Sequence, residues 1–313
     1  MVSVVRPREV PLGGLRAITV RRTLPNRERT TIGAWCFIDH FGPHRVADAG
    51  GMSVAPHPHT GLQTVSWLFS GEIEHRDSVG SRQLVSPGQL NLMTAGRGIA
   101  HSEESTVDSV WVHGVQLWVA LPEEYRHVGP FFEHVVPPRV VLPTMNDAGE
   151  ALVTVFVGSL LGVESPAKTF SPLVGAELVI PAQSSVEMPV NPDFEHGFLV
   201  DQGTLRVNGE FGEHADLIYL DRGLTHLELS SGSQPVRAIL LGGTPFTEPI
   251  VMWWNFIART HDEIVALRDE WQRDVVEGLD AGGRYGHVNF DGLPIPAPEM
   301  PSVRLRARAT TRA

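Results

Sequence analysis

Residues 56–103 read PHPHTGLQTVSWLFSGEIEHRDSVGSRQLVSPGQLNLMTAGRGIAHSE. His57-Pro58-His59 stands at one end and His101-Ser102-Glu103 at the other. In a strand, residues two apart point to the same face. Each triplet therefore sets two metal-type side chains side by side, and two such pairs on neighbouring strands would converge four ligands on one point. With 14 His in 313 residues, random placement alone supplies roughly 0.6 His-x-His pairs, so spacing by itself decides nothing. The context carries the weight. Strand-like runs at residues 63–69, 84–86 and 90–93 lie between the pairs. Gly71, Gly80, Pro87-Gly88, Gly96 and Gly98 punctuate them with turn chemistry. The expected product is a small β-barrel holding a transition metal through His57, His59, His101 and Glu103.

Three imidazoles and one carboxylate suit Fe(II), Mn, Co, Ni, Cu or Zn, and not calcium. Four protein ligands would close a tetrahedral zinc site. Around an octahedral ion they leave two positions for water, oxygen or a chelating substrate. Cys36 is the one cysteine, which excludes a thiolate-rich site and an internal disulfide and fits a reducing compartment.

The remaining bounds come from the whole chain. Its 313 residues make room for two domains. With 31 Gly and 24 Pro, the composition favours many turns and an all-β architecture. A net charge of -11 opposes direct nucleic-acid binding through phosphate neutralisation. No run of signal-peptide type opens the chain, and no stretch approaches the roughly 20 apolar residues of a membrane helix. The expectation is a cytoplasmic monomer with no membrane segment.

Short strands are expected within residues 2–38, at 18–23 and 31–37, with turns at Gly13-Gly14 and Pro25-Asn26. Asp39-His40-Phe41-Gly42-Pro43 reads as a loop followed by His44. Along residues 62–69, Gln63, Val65, Trp67 and Phe69 share parity with His57 and His59, so they are expected to face the metal. His75 and Asp77 read as a solvated strand end, and His113 as a core histidine. Residues 122–143 read as a linker. A second set of strands runs from 153 to 240. There, residues 194–197 match the His57 region loosely and 223–226 the His101 region. His196 and His226 each lack a partner, so this barrel is expected to be metal-free. Ile264, Leu267 and Trp271 fall at helical spacing, and Thr260 with Glu263 forms a capping-box signature. Arg304, Arg306, Arg308 and Arg312 read as a disordered basic tail.

These residues carry a resemblance. HPHTGLQTVSWLFSGEIEHRDS, PGQLNLMTAGRGIAHSE, HGVQLWVALP and MWWNFIARTH resemble the pirin family, bicupins of the cupin superfamily. The resemblance runs from about residue 13 to 290. It implies two cupin-type β-barrels plus a C-terminal helix, with metal only in the N-terminal barrel. The expected domains are 1–135 (metal-binding), 143–290 (metal-free, plus helix) and a 291–313 tail. It names the same four ligands, usually around iron. It also implies two roles. One is a quercetin 2,3-dioxygenase acting on a small aromatic flavonol, with Glu103 as general base. The other is a metal- or redox-sensing regulator that binds a partner protein. Many relatives carry Glu where this chain has Gln63, an amide that cannot act there as a base.

Overall fold

The computed structural model describes residues 2–11, 18–49, 51–146 and 149–308. Strands hold 51% of the residues and helices 6%, which makes the chain all-β. Contact density divides it into two compact units that do not follow the sequence contiguously. One comprises Val10–Val20, Asp39–His134 and Thr247–Ala313. The other comprises Met1–Glu9, Arg21–Ile38 and Val135–Phe246. The C-terminal helix therefore belongs with the first barrel, against the expected boundaries. The reason is packing: Ile264 and Trp271 bury themselves with Phe256, Ala258, Tyr285 and Ala100. Ala100 adjoins His101, so the helix supports the outer face of a candidate ligand strand.

The first barrel has a small sheet in the order Ser53–His59, Ile99–Ser105, Ile73–Asp77, Arg82–Val85. Its larger sheet runs Phe131–Val135, Leu90–Thr94, Leu62–Ser70, Trp111–Ala120, Trp35–Arg45, Thr19–Leu24, Arg8–Pro11. The β-branched and aromatic runs TVSWLFS and WVHGVQLWVA fit such pleated, buried surfaces. Ile18, Val20, Phe41, Met52, Val54, Leu68, Ile73, Val85 and Val112 form an apolar core at one end of the barrel.

The second barrel repeats the order. Its small sheet is Ser185–Pro189, His226–Ser231, Leu205–Val207, Glu210–Gly212. Its larger sheet runs Val2–Val5, Leu217–Leu220, Glu195–Gln202, Val236–Gly243, Leu173–Ile180, Glu150–Leu160, Arg139–Pro143.

Several local expectations need correction. The stretch from Asp39 to Pro43 is not a loop, because the strand Trp35–Arg45 runs through it. The supposed linker holds two strands, Phe131–Val135 and Arg139–Pro143. The tail is tied down as far as residue 308: Arg304 pairs with Asp262 at 2.6 Å, and the Leu305 and Arg308 amides donate to His261 Nδ1 and the Ile250 carbonyl. Arg312 and the Gly13-Gly14 turn lie outside the described residues. The helix His261–Trp271 starts as expected, with both arms of the Thr260/Glu263 capping box made.

Candidate metal centre

The strands Ser53–His59 and Ile99–Ser105 pair antiparallel with His101 opposite His57 and Ile99 opposite His59. Directly opposed residues put their side chains on one face about 5 Å apart. Pro56 and Pro58 are tolerated because their strand lies at the edge of its sheet. The register brings three imidazoles together. Ring centroids of His57 and His101 are 4.3 Å apart, those of His59 and His101 5.0 Å, and those of His57 and His59 5.1 Å. One ring nitrogen from each lies within 4.8 Å of the others, a grouping that could hold a metal ion. All three residues are buried.

Glu103 stands differently. Between His101 and Glu103 the pairing with the His57 strand shifts by a bulge, so Glu103 faces Val54 there. On the other side Glu103 is opposite His75. Its carboxylate groups within the same reach as His101 and His75. Ser66 Oγ donates to Glu103 Oε1 at 3.0 Å and also lies 2.9 Å from the Gln116 side-chain oxygen.

Electrostatics suit a cation. Burial pulls His57 down to about 4, against the help of a hydrogen bond to the Ala55 carbonyl. Burial, then the neighbouring imidazoles, hold His59 and His101 well below the ordinary histidine value. The rings are therefore neutral near pH 7, the form that ligates metals. Nδ1–H of His57 donates to Ala55, 2.9 Å away, which leaves Nε2 as its lone pair. His101 Nε2 and His59 Nδ1 are buried with no hydrogen-bond partner. Buried nitrogens left so are costly unless something accepts their lone pairs, and a metal would. Burial raises the Glu103 carboxyl, while the Ser66 hydroxyl works against that rise.

The inward face differs from the parity reading. Ser66 touches Glu103, and Trp118 lies edge-on to His59 with centroids 5.1 Å apart. Trp118 is opposite Thr64, and Gln116 opposite Ser66. Cross-strand partners share a face, so Thr64, Ser66 and Leu68 look toward the metal side, and Gln63, Val65, Trp67 and Phe69 look away. Parity is lost at the turn through Gly61, whose φ of +69° and close approach to the Ile257 carbonyl exclude a side chain. Gln63 instead donates to Thr94 Oγ1 at 2.9 Å. Phe69 packs on His40 and His113, whose Nε2 atoms lie 3.1 Å apart. His113 is thus buried among core rings, as expected, and His40 joins it there. His44 is half-buried, with Nε2 3.1 Å from the Thr19 carbonyl.

His75 and Asp77 are not solvated either. They are 2% and 4% exposed, and they adjoin the metal-type cluster. The alternation of His75 and Asp77 was the available signal. What hid its meaning was the strand's central place in the sheet.

In the second barrel, the strands that occupy the ligand positions are Ser185–Pro189 and His226–Ser231. Of the two stretches matched from sequence alone, 223–226 leads into the second of these strands, which His226 opens, and 194–197 does not enter the first. Residues 194–197 enter a strand of the larger sheet. His226 is exposed, and His196 is buried but falls in no metal-type grouping among the described residues.

A family model described as Pirin matches residues 17–119, and one described as the Pirin C-terminal cupin domain matches residues 175–277. A Caulobacter vibrioides pirin-like protein is 33% identical over 90% of this chain and 94% of its own. The chain belongs to the pirin family. Another relative in Pseudomonas aeruginosa, provisionally named a quercetin 2,3-dioxygenase, is 41% identical over 96% of this chain and 91% of its own. A crystal structure titled quercetin 2,3-dioxygenase from Acinetobacter baumannii superposes with a TM-score of 0.88 at 38% identity, covering 98% of this chain and 97% of that one. An Escherichia coli pirin, solved in complex with nickel(II), shares the fold at a TM-score of 0.56 and 17% identity, covering 78% of this chain and 99% of its own.

Proposed function

We propose that this pirin is a metal-dependent dioxygenase of the quercetin 2,3-dioxygenase type, with one divalent metal held by His57, His59, His101 and Glu103. The observation that carries the reading is the buried trio of neutral imidazoles, with unpartnered nitrogens on His59 and His101. The names of its Pseudomonas and Acinetobacter relatives support the substrate class. Iron(II) is the metal we favour. The donor set also accepts Mn, Co, Ni, Cu or Zn, and the nickel in the E. coli pirin shows that such a fold can take another ion. Lone, buried Cys36 fits a reducing, cytoplasmic setting.

When bound, the metal supplies Lewis acidity toward a flavonol 3-hydroxyl and its neighbouring 4-carbonyl. The protein supplies the proton acceptor. Glu103, made more basic by burial, takes the hydroxyl proton as general base. Trp118 offers an aromatic wall beside His59. Ser66 steadies the carboxylate by donating its hydroxyl to Glu103 Oε1. The lining also includes Thr64 and Gln116, so it is more polar than the sequence parity suggested.

One observation favours a second reading, a metal-sensing regulator of a protein partner. His57 and Glu103 are the most exposed of the four residues, and each is only 7% exposed. A flavonol reaches them only if their surroundings move. Elemental analysis of the purified protein together with oxygen uptake on several flavonols separates the readings. We expect about one metal per chain and metal-dependent uptake. Fully metallated protein that consumes no oxygen would leave the regulatory reading standing.

A further inference from the structure

The strand between the ligand strand and the open edge carries His75 and Asp77, both buried and both beside His101. Asp77 is opposite His101 and His75 opposite Glu103. Two contacts and one unpartnered nitrogen run in line. Asp77 Oδ2 lies 3.1 Å from His75 Nε2. His75 Nδ1 lies 3.4 Å from His101 Nδ1. His101 Nε2, at the far end, is buried and has no partner.

With His75 neutral, one arrangement of protons satisfies both contacts. A carboxylate can only accept, so His75 Nε2 carries the hydrogen. In a neutral ring the other nitrogen, Nδ1, is then the acceptor. It takes its hydrogen from His101 Nδ1. That leaves the His101 lone pair on Nε2, the unpartnered atom. We infer that Asp77 and His75 form a positioning relay that fixes His101 as the tautomer whose lone pair points at the metal. Its consequence for binding rests on the metal reading above, whereas the tautomer itself does not. Partners behind a metal-bound imidazole commonly set its tautomer and ring orientation in this way.

The relay is anchored at both ends. Asp77 Oδ1 accepts from the Val79 and Ser81 amides at 3.0 and 2.9 Å, which pins the carboxylate in the turn. Phe132 stacks on the His75 ring, 4.4 Å between centroids and 21° from parallel. Both nitrogens of His75 are engaged, so it is held out of the ligand set despite its closeness to His101 and Glu103.

Asp77→Asn tests this with little change of shape. Asn can keep its oxygen on the turn amides and turn its NH2 toward His75. His75 Nε2 must then accept, the hydrogen moves to its Nδ1, and His101 is left protonated on Nε2, where the metal would bind. Nitrogen-15 NMR of histidine-labelled, metal-free protein reads the tautomers, with His101 assigned by the signals missing from His101→Gln. We expect Nδ1-protonated His101 in the wild type and Nε2-protonated His101 in Asp77→Asn. Zinc affinity by chelator competition should fall about 10–100-fold in Asp77→Asn. His75→Phe, which keeps the stack on Phe132, should lose a similar factor, and the double variant little more, since the two act in series. Wild-type His101 protonated on Nε2 would overturn the relay. So would an Asp77→Asn protein with unchanged tautomer and unchanged zinc affinity. If the wild type binds no metal at all, the functional reading falls, and the NMR result still decides the relay.

Discussion

The two barrels share one strand order and fill it with opposite chemistry. In the first, the paired strands Ser53–His59 and Ile99–Ser105 set His57 against His101. In the second, the equivalent strands set Met188 against Leu227 and Val186 against Leu229. Those four are at most 1% exposed and sit in a continuous apolar core with Phe198, Val200 and Leu240. Such an interior is apolar save for His196, whose Nδ1 is buried without a partner but, among the described residues, has no second donor beside it. The first barrel instead desolvates imidazoles and leaves two nitrogens unpartnered. Each unsatisfied buried group costs about 1–3 kcal/mol, a cost that a bound metal offsets. The same strand order thus gives a metal-type donor set where two facing strands supply imidazoles, and an apolar core where they supply Met, Leu and Val.

The largest break in that contrast should come from His57→Ala or His101→Ala. Either should abolish metal binding outright, because each removes one of three converging donors. The barrel should survive, since its apolar core of Val54, Leu68, Ile73, Val85 and Val112 is untouched. Unchanged metal content by elemental analysis in either variant would sink the assignment.

Glu103→Gln should separate chemistry from loading. Glu103 groups with His101 and His75, not with His57 and His59. Its loss should therefore weaken metal binding less than it weakens turnover. General-base contributions are typically about 10²–10⁴-fold, and oxygen uptake at full metal occupancy reads the loss. Full metal with full turnover would keep the enzyme and reject Glu103 as its base.

The contrast also shows what a sequence can carry. The ligand triplets, the glycine-rich turns and the capping box were legible because each is local: spacing two in a strand, or three in a helix, fixes geometry directly. The face of the strand Leu62–Ser70 was not, because Gly61 resets the alternation between it and His59. His75 and Asp77 misled for a related reason. Their burial comes from pairing with Ile99–Ser105 and, for His75, from the stacked Phe132, both distant in sequence. The helix His261–Trp271 was visible as a helix, yet its barrel was not, since only packing on Ala100 decides which one it joins.

The apolar filling of the second barrel should respond like any core. Met188→Ala should destabilise the protein by about 2–5 kcal/mol, the range for removing a buried Met, Leu or Ile side chain. His59→Ala, measured on metal-free protein, should cost less, because it also removes an unpartnered polar atom. Denaturant unfolding of both variants checks the order. A larger loss for His59→Ala would mean that the polar interior is as self-sufficient as the apolar one.

The smallest effect should come from His196, which shares its strand face with the core residues Phe198 and Val200 of the second barrel. It is 1% exposed, and burial lowers it to about 4. Its folded value lies below the unfolded one of about 6.5, so between those values the unfolded chain binds more protons. Stability should therefore fall as pH drops from about 6.5 to 4, by at most about 3 kcal/mol from this residue. His57 adds a similar slope in metal-free protein, so the informative quantity is the difference between wild type and His196→Gln. That difference should be flat above pH 7 and open only below it. Metal content should not change at all, even with His226→Ala added, because neither residue has a second donor beside it. A stoichiometry that drops from two to one in the double variant would show that the second barrel also binds metal, and would erase the contrast between the barrels.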